Sequence, residues 1–345
     1  MGRPIYVGIN GLGDIGRYVL RAAEEYKGLI EVVAIHNRTP PVLKAHLIRR
    51  DTAYGAFPGE VGVEGDDIIV NGRKIRGYTG QVPSQVPWGD IGVDVVIEAT
   101  GKFSRDRKAL EGHLNAGARY VIVSTGSEIV DKTIIYGVNN KAYGGEPIIA
   151  SGSCTTNCLA PLVYVLDREF GIKSGLFSTT HAFTGSQSLV DSPQRDKRRG
   201  RAAGYNIVPT SSGADESIGA VFPHLEGLLS GTADRVPVIV GSILHFYPRL
   251  QKEVTKGEVN DAMKKASKTD LKGTLEFLVD AAFVSADIIG NPTPSVFDAL
   301  LTKVVERDRR SIAVSAWYDN IAATSHQILW LVQMIAAHQS FSQSR

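Results

Sequence analysis

Cysteine is scarce in this 345-residue chain, which has only Cys154 and Cys158. So small a supply excludes a disulfide framework and fits a reducing compartment. Thiols four residues apart on a helix would have Cβ atoms about 5–6 Å apart, too far for the relaxed disulfide distance of about 3.8 Å. No Cys-x-x-Cys or His-x-x-x-His spacing occurs, so a tetrahedral zinc site lacks its short-range ligands and no metal is expected. Excess charge is also missing. A formal net charge of +2 sets up no strong field, which argues against nucleic acid or an anionic membrane as partner. No stretch approaches the roughly 20 apolar residues of a membrane span; Ile328-Leu329-Trp330-Leu331-Val332 is interrupted by Gln333. The start, Met1-Gly2-Arg3-Pro4-Ile5-Tyr6, has neither a signal-peptide core nor the Ser/Thr of a myristoylation motif. The expected address is the cytoplasm.

What the chain does have is length for two domains, with an ordinary 43% hydrophobic and 21% charged composition. Its most informative residue is Cys154, in Ser151-Gly152-Ser153-Cys154-Thr155-Thr156-Asn157-Cys158. An apolar run, Pro147-Ile148-Ile149-Ala150, precedes it and a helix-like run, 159–166, follows. That order predicts a thiol at a helix N-terminus, where free N–H groups and the dipole favour the thiolate and lower the thiol pKa. A base is available at His181, after the strand-like Gly175-Leu176-Phe177-Ser178-Thr179-Thr180. Cysteine and histidine together are the minimal activated-nucleophile unit.

The N-terminal half reads as alternating strands and helices. Ile5-Tyr6-Val7-Gly8-Ile9 leads into Asn10-Gly11-Leu12-Gly13-Asp14-Ile15-Gly16, and Ile15, Val19, Ala22 and Ala23 then recur at helical spacing. Strand, Gly-x-Gly-x-x-Gly and helix in succession predict a dinucleotide site. The second strand, 31–36, ends at Asn37-Arg38, where an acid usually holds the ribose 2′-hydroxyl. A neutral amide with a guanidinium can accept a 2′-phosphate, so NADP is favoured ahead of NAD. Further strands at 93–99 and 120–123, with a helix over 105–116, predict a Rossmann-type doubly wound parallel sheet. Thr100, Gly101 and Ser124 fall at carboxyl strand ends, where such sheets bind ligands.

Beyond the cysteine the strand-like runs lengthen, at 172–183, 236–246 and 312–317, with a helix over 257–267. They predict an α+β catalytic domain with a mainly antiparallel sheet. Gln194-Arg195-Asp196-Lys197-Arg198-Arg199-Gly200-Arg201 is strongly basic but lacks interleaved aromatics for base stacking, so it is not read as a nucleic-acid surface.

Several blocks resemble one family in order and spacing: Ser153-Cys154-Thr155-Thr156-Asn157-Cys158, His181-Ala182-Phe183-Thr184, Arg198-Arg199-Gly200-Arg201-Ala202-Ala203, Pro209-Thr210-Ser211-Ser212-Gly213-Ala214, Arg235-Val236-Pro237 and Trp317-Tyr318-Asp319-Asn320. The chain is similar throughout to the phosphorylating glyceraldehyde-3-phosphate dehydrogenases. The resemblance implies a cofactor domain of residues 1–153 and 318–345 and a catalytic domain of 154–317, the C-terminal helix at about 324–338 returning to the former. It also implies that Cys154 adds to glyceraldehyde 3-phosphate with His181 as base. Hydride passes to NAD or NADP, and inorganic phosphate cleaves the thioester. By positional match Asn10, Gly11, Leu12, Gly13, Asp14, Ile15, Asn37, Arg38, Thr100, Gly101 and Ser124 hold the cofactor, and Asn320 orients its carboxamide. Thr184 and Arg235 take the substrate phosphate; Ser153, Thr155, Arg199, Ser212 and Gly213 take the attacking phosphate. A homotetramer is implied as well.

Three departures from the family pattern accompany the match: Asp14 replaces an Arg, Thr125-Gly126 replaces Ala-Pro, and Ile321-Ala322-Ala323-Thr324 replaces Glu-Trp-Gly-Tyr. Two rival readings are an erythrose-4-phosphate dehydrogenase, whose thioester is cleaved by water, and a non-catalytic dinucleotide-binding paralogue. Thr184 after His181 favours the triose phosphate.

Overall fold

The computed structural model describes residues 3–80 and 82–342. Their contacts form two compact units. One comprises the described parts of 1–136, 140–152 and 324–345; the other comprises 137–139 and 153–323.

The first unit holds β1 (Ile5–Asn10), α1 (Asp14–Ala23), β2 (Ile30–His36), α2 (Pro41–Arg49), β3 (Arg50–Asp51), β4 (Gly55–Ala56), β5 (Val61–Glu64), β6 (Asp67–Val70), β7 (Arg73–Tyr78), α3 (Trp88–Ile91), β8 (Val95–Glu98), α4 (Arg107–Asn115), β9 (Tyr120–Val123), β10 (Lys132–Thr133) and β11 (Ile148–Ala150). Its nine-stranded sheet runs β10-β11-β9-β8-β1-β2-β7-β6-β5. Pairing is parallel from β10 through to β7, and antiparallel for β7/β6 and β6/β5. All residues of β8 and β11 are buried, as expected of parallel strands covered on both faces. The order reverses around β1, and the loops after β1 and β8 open at the carboxyl ends where doubly wound sheets bind ligands.

The second unit holds α5 (Cys154–Phe170), β12 (Ile172–Ala182), β13 (Val208–Ser211), α6 (Ala214–Val221), β14 (Leu229–Val236), β15 (Ser242–Leu250), α7 (Lys256–Lys268), β16 (Leu275–Leu278), β17 (Ser295–Asp298), β18 (Lys303–Val305) and β19 (Asp308–Tyr318). Its main path is β13-β14-β12-β15-β19-β17-β16, with β18 on β19. Five pairings are antiparallel; β12/β14 and β16/β17 are parallel. On β15 burial alternates along the strand, as in a sheet with one face on the core. The last helix, α8 (Ala322–Ser342), starts in the second unit and continues in the first. Among the described residues no helix is long and apolar enough to cross a membrane.

The strand expected over 236–246 is two strand ends joined by a turn. β14 stops at Val236 and β15 starts at Ser242. Pro237 has no N–H for a ladder, and Gly241 takes φ +98° with a Cβ position only 2.2 Å from Ser285 O. Apolar composition runs across the break, so periodicity alone did not reveal it.

Candidate active site

The thiol sits where an apolar strand gives way to a helix. Ser153 caps α5 by accepting from Thr156 N–H at 3.0 Å, which fixes Cys154 as the first helical residue. β12 carries His181 on its last turn of ladder, and the two side chains meet: Cys154 Sγ lies 3.2 Å from His181 Nε2. Tyr318, the last residue of β19, clamps both elements. Its hydroxyl bonds Thr155 Oγ1 at 3.0 Å and Thr179 Oγ1 at 2.7 Å, and its ring meets the imidazole edge-on with centroids 5.8 Å apart.

Arg235 of β14 completes the cluster. The β12/β14 register sets it opposite His181, and Nη1 comes within 2.7 Å of His181 Nδ1 while donating to Ala182 O at 3.1 Å. No carboxylate contributes to its electrostatics, and its buried Nε has no partner among the described residues. Arg199 is close enough to repel it. Arg199 itself donates from Nη1 to Ser186 Oγ at 2.9 Å, and that oxygen lies 2.9 Å from Thr184 Oγ1. Two guanidiniums and two hydroxyls therefore converge with little negative charge, which is the donor set of a phosphate site. Asp196, 3.3 Å from Arg199 Nε, is the one carboxylate paired within this group.

Burial pushes the Cys154 thiol above its ordinary range, although the residue keeps some solvent access. The Arg235 charge, the Thr155 hydroxyl and N–H, and the cysteine's own N–H pull the other way. Burial, then Arg235, holds His181 down to about 3. The low thiol pKa expected from the helix terminus is thus opposed by desolvation, and the imidazole is neutral at pH 7. Cys158, one turn on, is fully buried against Ser295 and Ala316, and burial drives its thiol far up.

The other expected phosphate contacts separate into groups. Ser153 Oγ serves the helix cap, and Thr155 Oγ1 is drawn inward to Tyr318, its residue 4% exposed. Ser212 and Gly213 sit at the start of α6, where Ser212 Oγ accepts from Ala214 N–H at 3.3 Å. Asn320 is buried and its Oδ1 accepts from Gly241 N–H at 3.2 Å and Ser242 Oγ at 3.4 Å. In the sequence Tyr318 stands out only as a neighbour of Asn320, and Ser186 does not stand out at all. Their roles depend on partners 163 and 13 positions away, which no local pattern displays.

In the first unit the loop after β1 has a geometry suited to a dinucleotide. Gly11 has φ +100°, and a Cβ there would come 2.7 Å from Thr100 N. A Cβ on Gly16 would lie 2.0 Å from Gly11 O, whereas Gly13 has open space before it and caps α1 with no side chain of its own. Free helix N–H groups behind an open glycine are what a pyrophosphate needs. Asp14 is paired with Arg17 Nη2 at 2.7 Å, so its charge is locally offset. Leu12 is buried and Ile15 half-buried beside it.

A buried network holds this loop. Glu98, at the tip of β8, accepts from Thr100 N–H at 2.9 Å and also from Thr100 Oγ1 and Asn10 Nδ2. Trp88 Nε1 donates to His113 Nδ1 at 3.0 Å, so Nε2 carries the proton that faces Glu98 at 3.2 Å. Gly101, with φ +67°, continues the turn, and Ser124 N–H bonds Glu98 O at 3.0 Å. At the other strand tip Asn37 folds its Oδ1 onto Arg38 N–H at 2.9 Å, and Arg38 is exposed.

Residues 5–106 match the family model described as glyceraldehyde 3-phosphate dehydrogenase, NAD binding domain; residues 153–320 match its C-terminal domain. The chain belongs to the glyceraldehyde-3-phosphate dehydrogenase family. It is 46% identical over 333 residues to the glyceraldehyde-3-phosphate dehydrogenase of Kitasatospora aureofaciens, covering 96% of this chain and 99% of the relative. To that of Mycobacterium tuberculosis it is 47% identical over 338 residues, covering 96% and 98%. To glyceraldehyde-3-phosphate dehydrogenase 2 of Bacillus subtilis it is 44% identical over 335 residues, covering 96% and 97%. The first unit thus contains the family's NAD binding domain, and the glycine loop fits NAD(P) as its cofactor class.

Proposed function

We propose that the protein oxidises and phosphorylates glyceraldehyde 3-phosphate to 1,3-bisphosphoglycerate. The observation that carries this reading is the 3.2 Å approach of Cys154 Sγ to His181 Nε2 beside Arg235, to whose electrostatics no carboxylate contributes. The sulfur adds to the aldehyde carbon, and the helix N-terminus with Arg235 stabilises the anion on sulfur before attack. In the resulting hemithioacetal, His181 Nε2 takes the hydroxyl proton as the carbon is oxidised. Bound NAD(P) supplies the hydride acceptor. Inorganic phosphate then attacks the thioester carbon, forming the acyl phosphate and releasing the sulfur. Thr184 and Arg235 are suited to the substrate's phosphate end; Ser153, Thr155, Arg199, Ser212 and Gly213 are assigned to the attacking phosphate, for which hydroxyls, backbone N–H groups and a guanidinium are suitable donors.

The cofactor is held through residues 10–15, Thr100, Gly101 and Ser124, with Asn320 on the carboxamide. The domains are taken as 1–153 with 318–345 for the cofactor and 154–317 for catalysis. Asn37 and the exposed Arg38 favour NADP, since no acid stands at the tip of β2 to repel a 2′-phosphate. A cytoplasmic homotetramer is the proposed form. The experiment is reduction of NAD and of NADP by glyceraldehyde 3-phosphate, with and without inorganic phosphate. Turnover that depends on phosphate, and a larger kcat/KM for NADP, are expected. Turnover indifferent to phosphate replaces this reading with a hydrolytic one, and a tenfold preference for NAD removes the NADP assignment.

A further inference from the structure

Helix α2 starts in a segment that holds cations and no counter-charge. From His36 to Arg50 the chain has Arg38, Lys44, Arg49 and Arg50 and neither Asp nor Glu. The first turn of α2 therefore has no acid, and Pro40 caps it with no side-chain bond. Leu43 and Lys44 N–H both bond Pro40 O at 3.1 Å, whereas Val42 N–H makes no hydrogen bond among the described residues. Only residues 37–40 separate this start from the tip of β2. Arg38, in that link, is exposed and has no ion pair among the described residues. Lys44 is the unusual member of the group. It is 2% exposed, yet it makes no hydrogen bond or ion pair among the described residues. A helical side chain leans over the turn that precedes it, so Lys44, at the fourth position of α2, runs back toward Pro40 and Pro41. Its charge is close enough to His36, the last residue of β2, to oppose protonation there. Burial lowers the Lys44 pKa, and the exposed Asp66 is the one carboxylate that acts on it. Buried ammonium groups are normally paired; this one has no bonded partner.

We propose that Lys44 is a specificity-determining residue which, with Arg38 and the open start of α2, receives the 2′-phosphate of NADP. This rests on the NADP reading and deepens it by naming the side chain that discriminates between the two cofactors. In a doubly wound sheet an acid at the tip of the second strand holds the ribose 2′-hydroxyl. Here Asn37 stands at that tip, and the first acid after it is Asp51. A 2′-phosphate brings close to two negative charges and three acceptor oxygens. Arg38 offers it a planar fork, Val42 N–H and the α2 dipole offer a helix start, and Lys44 offers a point charge. The Lys44 ammonium has already lost most of its water, so its attraction to a phosphate is weakly screened. A 2′-hydroxyl has no charge to return, and NAD therefore gains little from the same residue. As a purely structural side chain Lys44 is poorly chosen, because a methionine of similar length fills the space without a buried charge.

The test reads binding rather than turnover. Full-length protein is titrated by calorimetry with 2′,5′-ADP, 3′,5′-ADP and 5′-AMP, which place a phosphate on the proposed hydroxyl, on its neighbour and on neither. Wild type is expected to bind 2′,5′-ADP about tenfold or more tighter than either of the others, the worth of a charge-assisted hydrogen bond. Lys44→Met should weaken 2′,5′-ADP by about tenfold or more and leave 5′-AMP unchanged. Lys44→Gln, a polar replacement without charge, repeats the comparison where the methionine variant does not fold. An undiminished preference for 2′,5′-ADP in a folded variant overturns the role of Lys44 and leaves the NADP reading standing. Equal loss for 2′,5′-ADP and 5′-AMP also overturns it, since Lys44 then acts only through the shape of α2. Equal wild-type affinity for 2′,5′-ADP and 3′,5′-ADP reduces the effect to unspecific attraction and overturns the site. Equal wild-type affinity for 2′,5′-ADP and 5′-AMP removes the NADP reading itself, and the proposal with it.

Discussion

Asp14 places a carboxylate at the first position of α1, beside the glycine loop proposed to hold a pyrophosphate. Its pairing with Arg17 at 2.7 Å, together with the helix dipole, explains how an acid is tolerated there. Arg17→Ala should therefore expose that charge, raising KM for the cofactor several-fold with little change in kcat, while Asp14→Asn should lower it. Equal KM values in steady-state kinetics across the three proteins would refute this account. Arg38→Asp is a second residue-scale test: it should cut kcat/KM for NADP by about tenfold or more, the worth of a charge-assisted bond. Cys154, His181 and the glycine loop were legible in the sequence because their chemistry resides in residue type and short spacing. Tyr318 was not, because its role is to tie Thr155 to Thr179 across two elements.

At the scale of elements, each functional group is aimed by a strand end or a helix start. Gly16 shows how narrow the tolerance is: a Cβ would stand 2.0 Å from Gly11 O. Gly16→Ala should abolish NAD(P) binding by titration calorimetry, while Cys154, in the other unit, remains alkylatable at its wild-type rate. Loss of both would mean that the whole chain, and not the loop, had failed. α7 is held by a full capping box, with Thr255 Oγ1 accepting from Glu258 N–H at 3.2 Å and Thr255 N–H donating to Glu258 Oε2 at 2.7 Å. Thr255→Ala should cost about 1 kcal/mol in denaturant unfolding, with turnover unchanged. This helix, expected over 257–267, was readable from its sequence; the break between β14 and β15 was not, because Val238, Ile239 and Val240 continue an apolar run through a turn.

For the whole molecule, burial of histidine governs the response to acid. His36, His181 and His245 are all held below their ordinary range, in each case first by burial. A lowered histidine pKa means that the unfolded chain binds protons the folded chain refuses. Stability is full above the unfolded pKa near 6.5 and falls as pH drops from there toward about 3, where His181 titrates in the folded state. Urea unfolding at pH 7 and at pH 5 should show lower stability at pH 5, and His181→Gln should reduce that difference. An equal free energy at both pH values would contradict the neutral, desolvated imidazole on which the proposed chemistry depends.

Read alone, the amino-acid order determined the two-domain α/β plan, the glycine loop, the candidate nucleophile and its candidate base. These are encoded locally, in hydrophobic period, in turn residues and in the reactivity of single side chains. Only tertiary structure decided that Cys154 and His181 touch, that Arg235 lies against the far side of the imidazole, and that desolvation opposes the helix terminus at the thiol. Proximity and burial are properties of groups brought together from distant positions, and no window of sequence contains them.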